Sequence, residues 1–259
     1  MFLNQRLLEK VPELTIYFWV IKVLTTGMGE TTSDFFVHRY NPYVVVVVSA
    51  AVLAVTVFWQ LWWREYNPWV YWLAVSMVAV FGTMAAGIVH VYMGVPYILS
   101  ATGYAAAVTV IFVLWFLSEK TLSVHSIYTR RRELFYWAAV LGTFAMGTAV
   151  GDMTAVSFHL GFLASGVLFA VVIAIPGIAY RWIHLNEITA FWFAYIITRP
   201  LGASFADWLA VPPIQGGLDF GKGAVSIVLW LLITAFVAYL AISHIDTARK
   251  DRPEVSYQA

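Results

Sequence analysis

The sequence contains no cysteine. That excludes disulfides, thiolate metal sites and thiol nucleophiles. Charge is scarce as well. Asp, Glu, Lys and Arg make up 11% of the 259 residues, against about 25% in soluble domains. The 15 basic and 14 acidic side chains nearly cancel, to a formal net charge of +1. No basic cluster is interleaved with base-stacking aromatics, so no nucleic-acid partner is expected. Local signatures of catalysis are missing too: there is no P-loop Gly-Lys-Ser/Thr, no HExxH and no Gly-x-Ser-x-Gly. Neither an enzyme nor a bound cofactor is expected.

What is abundant is apolar surface. Hydrophobic residues are 61% of the chain, and a helix needs about 20 of them in a row to cross a bilayer core of about 30 Å. Eight stretches qualify: 14–36, 43–63, 69–90, 95–117, 133–153, 160–182, 187–208 and 223–244. The expected fold class is all-α, a polytopic protein of eight transmembrane helices with the lipid bilayer as its first partner. The first twelve residues carry Arg6, Glu9 and Lys10 and no short apolar core, so no cleaved signal peptide is expected. Arg6, Lys10, Arg64, Lys120, Arg130, Arg131, Arg132, Arg181, Arg249, Lys250 and Arg252 fall at one set of helix ends, and only Arg39 and Lys222 at the other. Positive charge marks the inner side. Both termini are therefore expected in the cytoplasm.

A sixteen-residue ruler repeats along the chain. Ten residues after Trp19 comes Gly29, and fifteen after it Asp34. The same offsets from Trp137 find Gly147 and Asp152, and from Trp192 they find Gly202 and Asp207. From Trp72 they find Gly82 and then Gly87, where the acid is missing. An aromatic precedes every Trp: Phe18, Tyr71, Tyr136 and Phe191. Each copy lies in an odd-numbered helix and a plainer helix follows, so the unit is two helices used four times. The repeats are expected at about 13–63, 66–117, 131–182 and 186–244, with a polar tail over 247–259. Two helices per unit make every copy enter from the same side, which relates the copies by an axis along the membrane normal. The odd helices carry the Gly, Thr and Ser residues that let helices approach closely in lipid. They are expected inside, and the even helices outside.

With these residues in view, the chain resembles the bacterial integral membrane proteins built of four tandem repeats of unknown function, each holding two transmembrane segments and a signature tryptophan. The resemblance covers nearly the whole chain and rests on the four tryptophans and their spaced glycines. It implies architecture, and brings neither a substrate nor catalytic residues.

At 100° per residue, offsets +3, +7, +11 and +15 from the Trp share a stripe about 120° wide. They hold Lys22, Arg199, Glu30 and the three Asp. Ionisable residues in a membrane face the bundle interior or a wet cavity and pair with one another. Arg199 is thus expected to find Glu30 or an Asp. The bland readings are that the Asp residues only end helices in water, that Lys22 snorkels to the interface, that Pro200 only kinks its helix, and that the Trp residues anchor and pack. His90 and His159, with the three Asp, offer donors for a divalent cation such as Mn²⁺ or Zn²⁺. Two other readings fare worse. Gly151-Asp152 lacks the glycine, two residues earlier, of intramembrane aspartyl proteases, because Ala149 stands there. Lys222 precedes the last helix, where a retinal Schiff base needs a lysine inside one. The expectation is a secondary transporter or permeation protein for a small cation or proton-coupled solute, along a pathway between the odd helices. The alternative is a membrane scaffold or sensor acting through the loop Ser118 to Arg132.

Overall fold

The computed structural model describes residues 10–63 and 65–247. Arg6, Arg64, Arg249, Lys250, Arg252 and nearly all of the tail lie outside the described residues. The helices are α1 (Ile16–Arg39), α2 (Pro42–Trp62), α3 (Pro68–Gly87), α4 (Tyr97–Glu119), α5 (Arg130–Asp152), α6 (Gly161–Val172), α7 (Ala174–Ile183), α8 (Glu187–Ala210) and α9 (Lys222–Ser243). No strand occurs among the described residues. Six helical rods are long and apolar enough to cross a membrane, by length and composition: α2, α3 to His90, α4, α5 to Ser157, α6 with α7, and α9. The remaining two, α1 and α8, are 24 residues each, about 36 Å, and carry the buried Lys22, Glu30, Arg199 and Asp207.

Local chemistry sets the boundaries. Asn41, Asn67 and Asn186 each accept hydrogen bonds from two backbone N–H groups of the first turn that follows, which satisfies donors a helix start leaves bare. Pro42 and Pro68 occupy the first helical position, where a missing N–H is harmless. The stretch 160–182, expected to be one helix, breaks at Ile173. Pro176 lacks an N–H and its ring crowds the carbonyl of Val172, where α6 ends. Pro200 instead sits within the uninterrupted span of α8.

The four inner helices form a closed ring: α1 packs on α3, α3 on α5, α5 on α8 and α8 on α1. Each outer helix lies along the inner helix of the next repeat rather than along its own. α2 packs on α3, α4 on α5, α6 and α7 on α8, and α9 closes the circle on α1. The inner helices are largely buried and the outer ones largely exposed and apolar.

Two repeated contacts hold the ring in register. The aromatic before each Trp packs against the Trp of the following or first repeat: Phe18 on Trp72 at 5.6 Å between centroids, Tyr71 on Trp137 at 5.8 Å, Tyr136 on Trp192 at 6.2 Å and Phe191 on Trp19 at 5.8 Å. Higher up, the glycine at +10 faces the residue at +7 of the next copy. A Cβ on Gly29 would lie 2.6 Å from Ala79 Cβ, on Gly82 3.0 Å from Phe144 Cβ, and on Gly147 2.5 Å from Arg199 Cγ. On Gly202 it would run into Thr26 Oγ1 and come within 2.6 Å of Val23 O. Equal offsets meet at both levels, so the inner helices run in the same direction. Trp72, Trp137 and Trp192 are buried in this packing and Trp19 is partly buried. Their role in the ring is helix-to-helix contact.

The copies diverge at their far ends. α3 and α5 each widen into one π-turn, Ile88–Tyr92 and Met153–Ser157, at the same offset from their Trp. α1 and α8 continue as α-helix. Such single π-turns are rare and cluster at functional positions.

Candidate functional site

The +3, +7, +11 and +15 stripe faces the middle of the ring. Polar groups succeed one another from the N-terminal ends of the inner helices to their C-terminal ends. Nearest the N-terminal ends, the hydroxyls of Tyr71 and Tyr136 share a hydrogen bond of 2.6 Å. Next comes Lys22, 1% exposed. Its ammonium lies 3.9 Å from the ring centroids of both Phe144 and Tyr195 and has no hydrogen-bond partner among the described residues. Lys22 therefore does not snorkel to an interface. Two ring faces, rather than oxygen acceptors, are what its Nζ meets there.

Arg199 follows, also 1% exposed. Its Nη2 donates to Glu30 Oε2 at 2.6 Å, to Thr148 Oγ1 at 2.8 Å and to Thr83 Oγ1. Nη1 reaches Thr26 O at 3.3 Å. Glu30, Thr83 and Thr148 are the +11 residues of the first three repeats. The Arg of the fourth is thus held by one position of the other three. Each Thr donates its own proton to a carbonyl one turn back, Ala79 O or Phe144 O, which leaves its oxygen free to accept from the guanidinium. Leaving such a buried pair with one partner removed is destabilising by about 3–5 kcal/mol.

Beyond Arg199 the column turns acidic. Carboxylate oxygens of Glu30, Asp34 and Asp207 lie within 4.8 Å of one another. Asp34 forms an ion pair with Lys222, and both are partly exposed. Asp207 is 6% exposed and has no hydrogen bond or ion pair among the described residues, its Oδ1 being fully enclosed. Asp152 is half-buried nearby, beside the Gly151 that faces Pro200. Of the three Asp on the stripe, Asp34 and Asp207 thus lie in close company with Glu30, and Asp152 lies outside that group. Arg199 takes Glu30 as its carboxylate, one of the partners expected.

The two histidines lie apart from this group. His90 Nδ1 is 3.1 Å from Ser100 Oγ and 3.2 Å from Val95 O, and its ring lies 4.3 Å from that of Tyr97, tilted by 39°. It ties the π-turn after α3 to the start of α4. His159 is exposed at a left-handed position, φ 56°. Neither belongs to the group of side chains close enough to share an ion.

Two features escaped the sequence reading. Lys10, counted there as a positive end marker, forms a buried ion pair with Glu133 in the first turn of α5, and Gln60 donates to the same carboxylate at 3.2 Å. The segment Ser118 to Arg132 is folded against the bundle. Val124 and Ile127 are buried, Leu122 O accepts from Trp192 Nε1 at 3.0 Å, and Ile127 O accepts from Lys10 N. Glu133 alone in sequence reads as an acid favoured at a helix start. Its partner lies 123 residues away, beyond any local pattern.

Fold and site together define an all-helical protein of membrane-protein class, a four-repeat ring with a buried charged column. The chain belongs to the family of the Repeat of Unknown Function (DUF347), whose model matches four times, at 17–66, 70–121, 135–185 and 190–246. No curated protein and no solved structure matches it.

Proposed function

We propose that this protein is a transporter or permeation protein for a small cation, embedded in the bacterial inner membrane by eight spans, with both termini in the cytoplasm. α1 and α8 then cross as inner members of the ring, sheltered from lipid by the outer helices. That shelter is what lets them carry charge. The ring axis stands along the membrane normal, and the acidic end of the column faces outward, as the Lys and Arg excess at the opposite helix ends requires.

One observation carries this reading: side chains from all four inner helices converge on a single polar column that is partly exposed at its acidic end and dry at Lys22 and Arg199. A purely structural core gains nothing from burying a lysine without an acceptor, whereas a gated path needs a closed zone. The acidic end concentrates cations. The Arg199–Glu30 pair, on the axis, is the element whose opening would connect the two sides. The scaffold reading gains no support from the 118–132 segment, whose Val124 and Ile127 are buried against the bundle.

The test is flux into proteoliposomes, with Mn²⁺ and proton gradients followed by entrapped dyes. Wild type should carry cations above empty liposomes, and Asp152→Asn should slow the flux about tenfold or more. Flux equal to that of empty liposomes under every gradient removes the transport reading.

A further inference from the structure

The acidic group has a charge imbalance that the rest of the column does not share. Three carboxylates face two cations: Arg199 is spent on Glu30, and Lys222 on Asp34. Asp207 is left over. It is 6% exposed, an oxygen of it lies within 4.8 Å of the other two carboxylates, and its enclosed Oδ1 has no hydrogen-bond partner among the described residues. A buried carboxylate in this state is strongly unfavourable unless a cation or a proton joins it.

We propose that Glu30, Asp34 and Asp207 form a binding site for a hard divalent cation of the Mn²⁺, Mg²⁺ and Ca²⁺ class, and that Lys222 is its built-in competitor. The donors are all oxygen, which favours hard cations over Zn²⁺ or Cu²⁺. Metal–oxygen bonds of about 2.0–2.6 Å allow oxygens around one ion to lie up to about 4–5 Å apart, and the three here lie within 4.8 Å of one another. Glu30 uses Oε2 for Arg199, and Oε1 remains to coordinate. Lys222 sits at the first position of α9, directly after Gly221 at φ 78°. Its side chain is partly exposed, so an arriving ion can displace the ammonium from Asp34 into water. Arg199, enclosed by four acceptors, stays. The site therefore discriminates between its two cations: one is fixed and one is exchangeable. As a step in transport this rests on the function proposed above, but binding is a separate matter and is tested separately.

The experiment is Mn²⁺ binding to the purified full-length chain in nanodiscs, followed by loss of the free-ion electron paramagnetic resonance signal, with Mg²⁺ and Zn²⁺ as competitors. Wild type should bind one Mn²⁺ per chain and release it to Mg²⁺ or Ca²⁺. Asp207→Asn should weaken binding about tenfold or more. Lys222→Gln should tighten it roughly tenfold, since a unit positive charge beside the site is gone. A structural cluster that merely tolerates the ion would not tighten when a surface-side lysine is removed. Glu187→Gln, an exposed acid at the opposite ends of the inner helices, should leave affinity within about twofold. Size-exclusion profiles check that each variant folds, and Lys222→Gln touches no enclosed group. The proposal is overturned if wild type binds no Mn²⁺ at millimolar concentration, if Asp207→Asn binds as wild type does, or if Lys222→Gln binds more weakly. Binding without flux would sink the transport reading and leave the site standing. Flux without binding would do the reverse.

Discussion

Gly147 stands against the stem of Arg199, so close that a Cβ on the glycine would lie 2.5 Å from Arg199 Cγ and 2.7 Å from its Cβ. The repeat's most regular residue thus makes room for its most irregular one. The same slot, at Gly29, Gly82 and Gly202, takes Ala79, Phe144 and Thr26 from the next helix. Overfilling a close-packed contact is destabilising by about 1–3 kcal/mol.

Alanine substitutions at the four glycines should therefore rank by clearance. Gly202→Ala, facing backbone and Thr26, should be worst. Gly147→Ala and Gly29→Ala should follow, and Gly82→Ala, with 3.0 Å to Phe144 Cβ, should be mildest. A methyl group added at Gly87 would meet nothing within 4 Å, so Gly87→Ala should fold as well as wild type. Thermal melting of each variant in detergent gives the order, and an equal loss at all five positions would show that the slot is not what the glycines are for.

Removing one partner of the Arg199–Glu30 pair should be more harmful than removing both. Glu30→Gln leaves a guanidinium enclosed with hydroxyls and a carbonyl only, and should lower stability by about 3–5 kcal/mol. Glu30→Gln with Arg199→Met should recover most of that loss and show no flux. A double-mutant cycle in denaturant measures the coupling; additive effects would mean the two side chains do not act as a pair.

Lys22 makes the opposite case. Its ammonium has no hydrogen-bond acceptor among the described residues and lies between two rings. Methionine keeps the length and the ring contacts without the charge. Lys22→Met should melt at or above the wild-type temperature while flux falls. A lower melting temperature together with unchanged flux would mean the lysine serves packing rather than the path.

The contact between Asp246 and Tyr66 should respond to pH. Burial raises the Asp246 carboxyl above its ordinary value, the Tyr66 hydroxyl that donates to it opposing this in part. A raised acid in the folded state adds stability that is complete below the ordinary aspartate range and is lost as pH rises through the raised value. Wild-type melting should therefore decline as pH rises from the ordinary aspartate range toward neutrality. Asp246→Asn should flatten that part of the curve.

How much was legible in the chain differs from residue to residue. Helix ends at Asn41, Asn67 and Asn186 rest on bonds spanning three residues or fewer, so a linear reading finds them. The stripe was legible because a helix turns at a constant angle, which puts +3, +7, +11 and +15 on one side. Pro176 and Pro200 look alike in sequence, yet Pro176 ends a helix and Pro200 lies inside one. Pro200 packs against Gly147 and Gly151 of α5, a support no local pattern contains. His90 and His159 looked like ligands by type and were spent on turns. Glu133 is half of a buried pair whose other half, Lys10, lies 123 residues away.

The sequence by itself determined that the chain is helical, that its unit is two helices used four times, and that charge in the inner helices shares one face. These follow from apolar length and from spacing, which act within one element. Only the tertiary structure decided that each repeat hands its outer helix, its aromatic and its glycine slot to the next, and that Asp207 rather than Asp152 joins Glu30 and Asp34. Those outcomes depend on which surfaces meet across more than a hundred residues of chain, and packing settles them by shape and by the cost of leaving a buried charge alone.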